Sequence, residues 1–269
     1  MPNPKDIELV LNAIRNKRSH TFMKSLFRTI NKSYRECIDR AQDRLAVQIE
    51  GPASTITLTQ LKDSLVAGET VITELDMVDN VFGVIKAEIA RTVRQHGGPH
   101  IGEYQYFLSI VMAYAQSLLG YLIYPHRRLQ MFLFDLCIDS NNLSTLQQLI
   151  NFHVILDTPD LLERLTDLLT GGPSWIGQIL LDVAKRMQRT NIVVETLFHL
   201  DRSMEIVEYI QKNDPGFEIE QVFNLMKKFP QCNSRSDIWK QIELWNIMSN
   251  DDVGKPVLSH QVVMMNSSP

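Results

Sequence analysis

Side chains able to do chemistry are present in this sequence, but they are not spaced to do it together. The seven histidines are His20, His96, His100, His126, His153, His199 and His260. A zinc site needs two or more ligands brought onto one face, usually three to five residues apart, with a further pair elsewhere. His96 and His100 come nearest, but Gly97-Gly98-Pro99 lies between them and prevents a shared helical face. Neither that Gly-Gly-Pro nor Gly171-Gly172-Pro173 continues into Gly-Lys-Ser/Thr or fits G-x-G-x-x-G. A phosphate cradle needs free backbone amides, and proline removes one, so both triplets read as turns. No G-x-S-x-G nucleophile elbow occurs. Asp135 with Asp139 reads as helix-surface charge, and Asp251 with Asp252 as a solvated tail. The expected catalytic, cofactor-binding and metal sets are therefore empty, no cofactor is implied, and the chain reads as a non-catalytic interaction protein.

Bulk properties agree. The 269 residues are 44% hydrophobic and 22% charged, enough to build a core, and the net charge of -4 gives no reason to expect a nucleic-acid partner. Residues 1–50 hold ten basic and six acidic side chains, about +4, leaving about -8 for the rest. That basic stretch lacks the interleaved aromatics that stack on single-stranded nucleic acid, and it reads as a solvated helix face. Cys37, Cys137 and Cys232 are odd in number and widely scattered, which suits reduced thiols in a cytosolic setting better than a disulfide framework. MPNPKDIELVL lacks the apolar run of a secretory leader.

Scarce glycine and prolines placed between periodic segments predict helices punctuated by turns. A short helix is expected over Asp6–Asn16. A long one over Thr21–Gln48 should present Phe22, Leu26, Ile30, Tyr34, Cys37, Ala41 and Leu45 on one face. Ala53–Leu58 reads as linker. Helices follow over Glu74–Gln95, Glu103–Tyr124, Arg127–Asp139, Leu143–Val154 and Pro159–Leu169. Thr158 is the expected N-cap of the last, with Pro159 at its first position. An arm with Trp175, Ile176, Ile179, Leu180, Val183 and Met187 inward comes next. Further helices are expected at Ile192–Leu200, Ser203–Lys212, Pro215–Phe229 and Asp237–Met248. Trp175, Trp239 and Trp245 fall on apolar stripes and read as core.

Tyr104–Tyr124, YQYFLSIVMAYAQSLLGYLIY, carries no charged residue. Its length would span a bilayer, with terminal aromatics and Arg127-Arg128 as interface anchors. Gln105, Ser109, Gln116 and Ser117 dilute that character, and the amphipathic neighbours fit a buried central helix better.

From Gly102 to Leu169 the sequence resembles a known family. The residues that carry the likeness include Ala115-Gln116-Ser117-Leu118 and the run Leu146-Gln147-Gln148-Leu149-Ile150-Asn151-Phe152-His153-Val154-Ile155-Leu156-Asp157. QILLDVAKR (178–186), TLFHLDRSMEIVEYI (196–210) and Asn31–Gln42 continue it. The family is that of the C-terminal domain of the Mic-like, Bulli-type proteins. Thr158 stands where that family favours Ser, and Asp160 where it favours a small residue. The resemblance implies a regulatory subunit of the Mon–Ccz guanine-nucleotide exchange complex, which activates the late-endosomal Rab GTPase in endosome maturation, lysosome fusion and autophagy. Its partners would be the Mon–Ccz pair, on the cytosolic face of late endosomes and lysosomes. Family members carry a β-propeller ahead of the helical region, and this sequence contains none, so a fragment or short isoform is expected.

The expected architecture is all-α, an α-solenoid of stacked antiparallel helical hairpins without an N-terminal β-propeller in this chain. The expected organisation is N-terminal helices in 1–50, a linker in 51–73, a helical Mic-like domain in 74–249 and a disordered tail in 250–269. The alternatives are an integral membrane protein anchored by residues 104–124 and a generic vesicle-tethering or coat-type helical adaptor. The partner interface is not legible from sequence.

Overall fold

The computed structural model describes residues 2–48, 70–96, 101–169, 174–202 and 204–214, with isolated positions 221, 222, 224, 227 and 240 beyond them. Among the described residues every regular element is a helix and no strand occurs. Two compact units divide the chain, Met1–Leu156 and Asp157–Pro269. The linker Ala53–Leu58, both Gly-Gly-Pro turns and the tail lie outside the described residues, as does most of the segments expected to be helical at Pro215–Phe229 and Asp237–Met248.

The first unit begins with α1 (Pro4–Arg15) and α2 (His20–Gln48). Next, α3 starts as Glu74–Asp76, widens into a π-turn over Met77–Phe82 and continues as Gly83–His96. α4 (Ile101–Gly120), α5 (Arg127–Asp139) and α6 (Leu143–Asn151) follow. α4 is the inner helix. It packs most extensively on α2, and on α5 as well, while α5 also meets α3 and α6. Phe107, Leu108, Ile110, Val111, Ala113, Tyr114, Ala115 and Leu118 of α4 are all buried. No helix among the described residues is long and apolar enough to cross a membrane, which overturns the membrane-anchor alternative for residues 104–124. The helix ends at Gly120 rather than Tyr124, because the chain turns at Tyr121-Leu122 ahead of Pro125.

The buried face of α2 differs from the expected stripe. Met23, Phe27, Asn31, Tyr34, Cys37 and Ile38 are buried, whereas Phe22 is 46% exposed and Leu26 and Ile30 are half-buried. A row stepped by four advances about 40° per step around a helix, so a stripe begun at Phe22 starts off the true face and reaches it only at Tyr34 and Cys37, which are buried as expected. The partner fixes the register. Phe27 meets Tyr114 of α4 edge-to-face at 5.3 Å between ring centroids.

Phe82 is the hub of this core. Its ring lies 6.5 Å from Phe27, 5.3 Å from Tyr114, 6.1 Å from Phe107 and 6.1 Å from Phe132, so one side chain joins α2, α4 and α5. The first three are edge-to-face and the Phe132 pair is tilted at 30°; aromatic pairs of these kinds add about 0.5–1.5 kcal/mol each beyond the area they bury. The π-turn brings Phe82 there with Met77, Val78 and Val81, all buried. Gly83 follows for a steric reason, since a Cβ at that position would sit 3.1 Å from the Val78 carbonyl oxygen.

In the second unit α7 (Pro159–Leu169), α8 (Ser174–Arg186), α9 (Thr190–His199) and α10 (Met204–Asn213) pack each on the next. Thr158 Oγ1 accepts the Leu161 N–H at 3.2 Å, the cap expected from sequence. Leu161, Leu162 and Leu165 are buried, as are Ile176, Ile179, Leu180 and Val183 of α8, while Trp175 and Met187 are half-buried. Gly177 allows close approach, since a Cβ there would meet the Leu200 side chain at 2.6 Å. Arg186 pairs through two nitrogens with Asp157, at 2.6 and 2.9 Å. Thr190 Oγ1 donates to Asp214 at 2.9 Å.

Six helix ends share one device. Lys17, Leu122, Asn141, His153, Gln188 and Asp201 all take positive φ, between 46° and 57°. In each case that residue donates to the carbonyl three residues back, and its successor donates to the one five back, as with Leu122 N→Leu119 O and Ile123 N→Leu118 O. This is the Schellman termination, here made throughout by residues other than glycine.

Tyr114 carries a buried hydroxyl with no hydrogen-bond partner. Leaving such a group unpaired costs about 1–3 kcal/mol. Tyr114→Phe is accordingly expected to raise unfolding free energy by about 1 kcal/mol in urea titration. A loss of similar size would mean that an internal water holds the hydroxyl.

Candidate interaction surface

Among the described residues His20 Nε2 lies 2.8 Å from Ser109 Oγ, a histidine–hydroxyl contact at catalytic distance. The Ser109 hydroxyl, however, donates to the Tyr106 carbonyl at 2.5 Å, so its proton is directed away from the imidazole. The contact joins the start of α2 to α4. Of the other histidines, His153 and His199 are exposed, His126 caps α5 by accepting the Arg128 N–H at 3.2 Å, and His96 ends α3. His100 and His260 lie outside the described residues, as do Asp251, Asp252, Cys232, Trp239 and Trp245. Among the described residues no three His, Cys, Asp or Glu side chains converge as a metal site.

Asp135 and Asp139 are not merely a solvated face. Lys86 of α3 lies between them, 4.0 and 2.8 Å from their carboxylates, with its ammonium 5.5 Å from the Phe132 ring centre. The pair ties α5 to α3, and sequence spacing within α5 alone could not reveal the lysine. Cys37 and Cys137 are buried thiols, not joined in a disulfide. Burial pushes the Cys137 thiol up to about 12, which leaves it neutral and unreactive at ordinary pH.

What the first unit does present is apolar surface, on two loops. Leu122, in the α4–α5 loop, is 83% exposed, and Phe152, at the end of α6, is 77% exposed. Tyr124 and Leu156 flank them at 39% and 41%. Beside these loops an apolar groove of about 150 Å³ runs between α4 and α6, with Met112 and Leu119 on one wall and Leu149 and Phe152 on the other. No charged side chain lines it.

Buried polar groups hold the two loops in place. Gln130 of α5 is 2% exposed; its Nε2 donates to the Pro125 carbonyl at 2.7 Å and its Oε1 accepts the Leu156 N–H at 2.9 Å. One amide thus fastens the α4–α5 loop to the loop after α6. Glu74, 1% exposed, accepts the His126 N–H from the other side. Neither bracket was legible from motif or spacing, although a glutamine within the apolar stripe of Leu129, Leu133 and Leu136 is a signal that deserved reading.

A family model described as "Regulator of MON1-CCZ1 complex, C-terminal" matches residues 5–227. The chain belongs to this family. The match runs through both compact units and includes the segments from which the resemblance was drawn. Members are regulators of the MON1–CCZ1 complex by their family description. No curated protein and no solved structure is significantly similar to the chain.

Two outcomes follow from these side chains. Gln130→Leu leaves the Pro125 carbonyl and the Leu156 amide unpaired, and should cost about 2 kcal/mol in urea unfolding, with faster hydrogen exchange at Leu156. The second concerns alkali. Burial raises the Cys137 thiol to about 12 and the Tyr114 hydroxyl well above its ordinary 10, so above pH 9 the folded chain keeps protons that the unfolded chain releases. Stability should then fall between about pH 9 and 12, and Cys137→Ala should flatten part of that slope in urea midpoints measured across the range.

Proposed function

We propose that this chain is a non-catalytic scaffold subunit of the Mon–Ccz guanine-nucleotide exchange complex, whose target is the late-endosomal Rab GTPase. In this reading it works on the cytosolic face of late endosomes and lysosomes, in membrane traffic and autophagy. Exchange chemistry belongs to its partners. Consecutive helices would stack as an α-solenoid and display surface to them. The observation that carries the proposal is the family match over residues 5–227. Two features of the first unit support it. Several of its titratable groups form ion pairs that tie helices together, Lys86 with Asp139 and Arg15 with Glu88 among them. Among the described residues, four of the seven exposed large apolar side chains, Leu122, Tyr124, Phe152 and Leu156, lie on neighbouring loops, as befits a contact surface, while Leu9, Phe22 and Ile101 are spread over three helices.

The test is affinity capture of the tagged full chain with purified Mon1–Ccz1, followed by nucleotide-release assays on the Rab. Co-purification is expected, and the chain alone should release no nucleotide. Release by the isolated chain would sink the non-catalytic assignment. Failure to capture Mon1–Ccz1 with folded chain would sink its role as a subunit that binds through this region.

A further inference from the structure

From Leu9 to Arg35 the sequence holds seven Lys and Arg (Arg15, Lys17, Arg18, Lys24, Arg28, Lys32 and Arg35) and not one carboxylate. The structure sorts these cations. Arg15 bridges Glu8 and Glu88, Lys17 reaches Glu103 at 3.9 Å, and Arg35 pairs with Asp39 at 2.8 Å. Lys32 only just meets Glu36, at 4.0 Å, and its side chain is 68% exposed. Arg18, Lys24 and Arg28 are exposed, and their side chains make no ion pair or hydrogen bond among the described residues.

Lys24, Arg28 and Lys32 stand four residues apart on α2, so they form one row about 12 Å long on its outer face. Like charges at that spacing repel one another along a helix. Beside them runs a second row, Thr21, Ser25 and Thr29, all exposed and all short. Thr29 spends its hydroxyl on the Ser25 carbonyl, at 3.2 Å. The far side of α2, with Met23, Phe27, Tyr34 and Ile38, is buried, and the helix packs on α4.

We infer that the Lys24–Arg28–Lys32 row docks an acidic protein segment, and, resting on the Mon–Ccz reading above, that this segment belongs to the Mon–Ccz pair. Carboxylates brought against the row would remove the repulsion among its cations and gain charge-assisted hydrogen bonds. The short hydroxyl row alongside leaves room for a partner's backbone to come close. A lipid surface suits this face poorly. A helix lying in the membrane interface needs a free apolar side, and that of α2 is turned inward. Phe22, though 46% exposed, lies about 120° around the helix from Arg28. Nucleic acid is disfavoured by the net charge of -4 and by the lack of an aromatic side chain within the row.

The experiment captures purified Mon1–Ccz1 on the tagged full chain, comparing wild type with the double variant Lys24→Glu, Arg28→Glu. Both side chains are exposed and unpaired, so the melting temperature should hold. The variant should bind about tenfold more weakly, chiefly through a slower on-rate, and added salt should weaken the wild type more than the variant. Arg91→Glu with Lys212→Glu makes the same change of net charge on other exposed positions and should leave capture intact. A carbodiimide, which joins amines to carboxylates without a spacer, should link Lys24 or Lys32 to an Asp or Glu of Mon1 or Ccz1, read by mass spectrometry. Equal capture by wild type and the Lys24, Arg28 variant would overturn the inference and leave the subunit reading standing. Equal weakening by the Arg91, Lys212 control would overturn it too. Equal capture, with binding to phosphatidylserine vesicles or duplex DNA lost in the variant, would give the row to one of those anions instead. Failure of the folded wild type to capture Mon1–Ccz1 would sink the subunit reading, and this inference with it.

Discussion

A helix with no charged side chain from Tyr104 to its end at Gly120 has to be surrounded, and the rest of the first unit is arranged to do so. Most amphipathic helices have one face to bury; α4 has nearly all of its circumference. α2 covers one flank and α5 another, and Phe82 of α3 closes the centre by touching aromatic rings from all three neighbours. An aromatic hub of this type tolerates little rearrangement, because each edge-to-face contact fixes both distance and angle. The π-turn at Met77–Phe82 makes sense in that frame. It alters the register of α3 within one turn, so that four apolar side chains reach the core before the helix resumes.

Burying so much of one helix leaves few polar groups inside, and those present matter more for it. Glu74 and Gln130 each spend their capacity on backbone groups of loops, where regular helix hydrogen bonding has stopped. The loops between helices are thus specified from the core outward, by side chains of elements distant in sequence. Asn31 and Tyr114 are the counter-example, with buried side-chain atoms that find no protein partner.

Much of this was legible in the residues. Arg127–Asp139 and Pro159–Leu169 coincide with the expected helices to the residue, because His126 and Thr158 supply caps and proline or a polar turn marks the boundaries. The inner position of Tyr104–Gly120 followed from the polar dilution by Gln and Ser and from its amphipathic neighbours. The register of α2 was not legible, since Phe22, Leu26 and Ile30 form as good an apolar row as Met23 and Phe27, and only the partner helix decides between them. The early end of α4 escaped for a related reason. Leucine at a left-handed position gives no compositional warning, whereas glycine would have.

The candidate surface was hidden for the same physical cause. Leu122, Phe152 and Leu156 are apolar residues in or beside helices, and a sequence reading assigns such residues to the core by default. What separates them is the direction of the chain at two helix ends, set by main-chain hydrogen bonds that any residue can make. The same logic explains why the carboxylates of α5 looked unpartnered: Lys86 is nearly fifty residues away in sequence and one helix away in space. Where the described elements are all helices, the surface offered to a partner is set by which side chains the helix ends leave outside. That quantity depends on termination geometry more than on helix content, and here termination is done six times without glycine, so that each turn keeps a side chain to present.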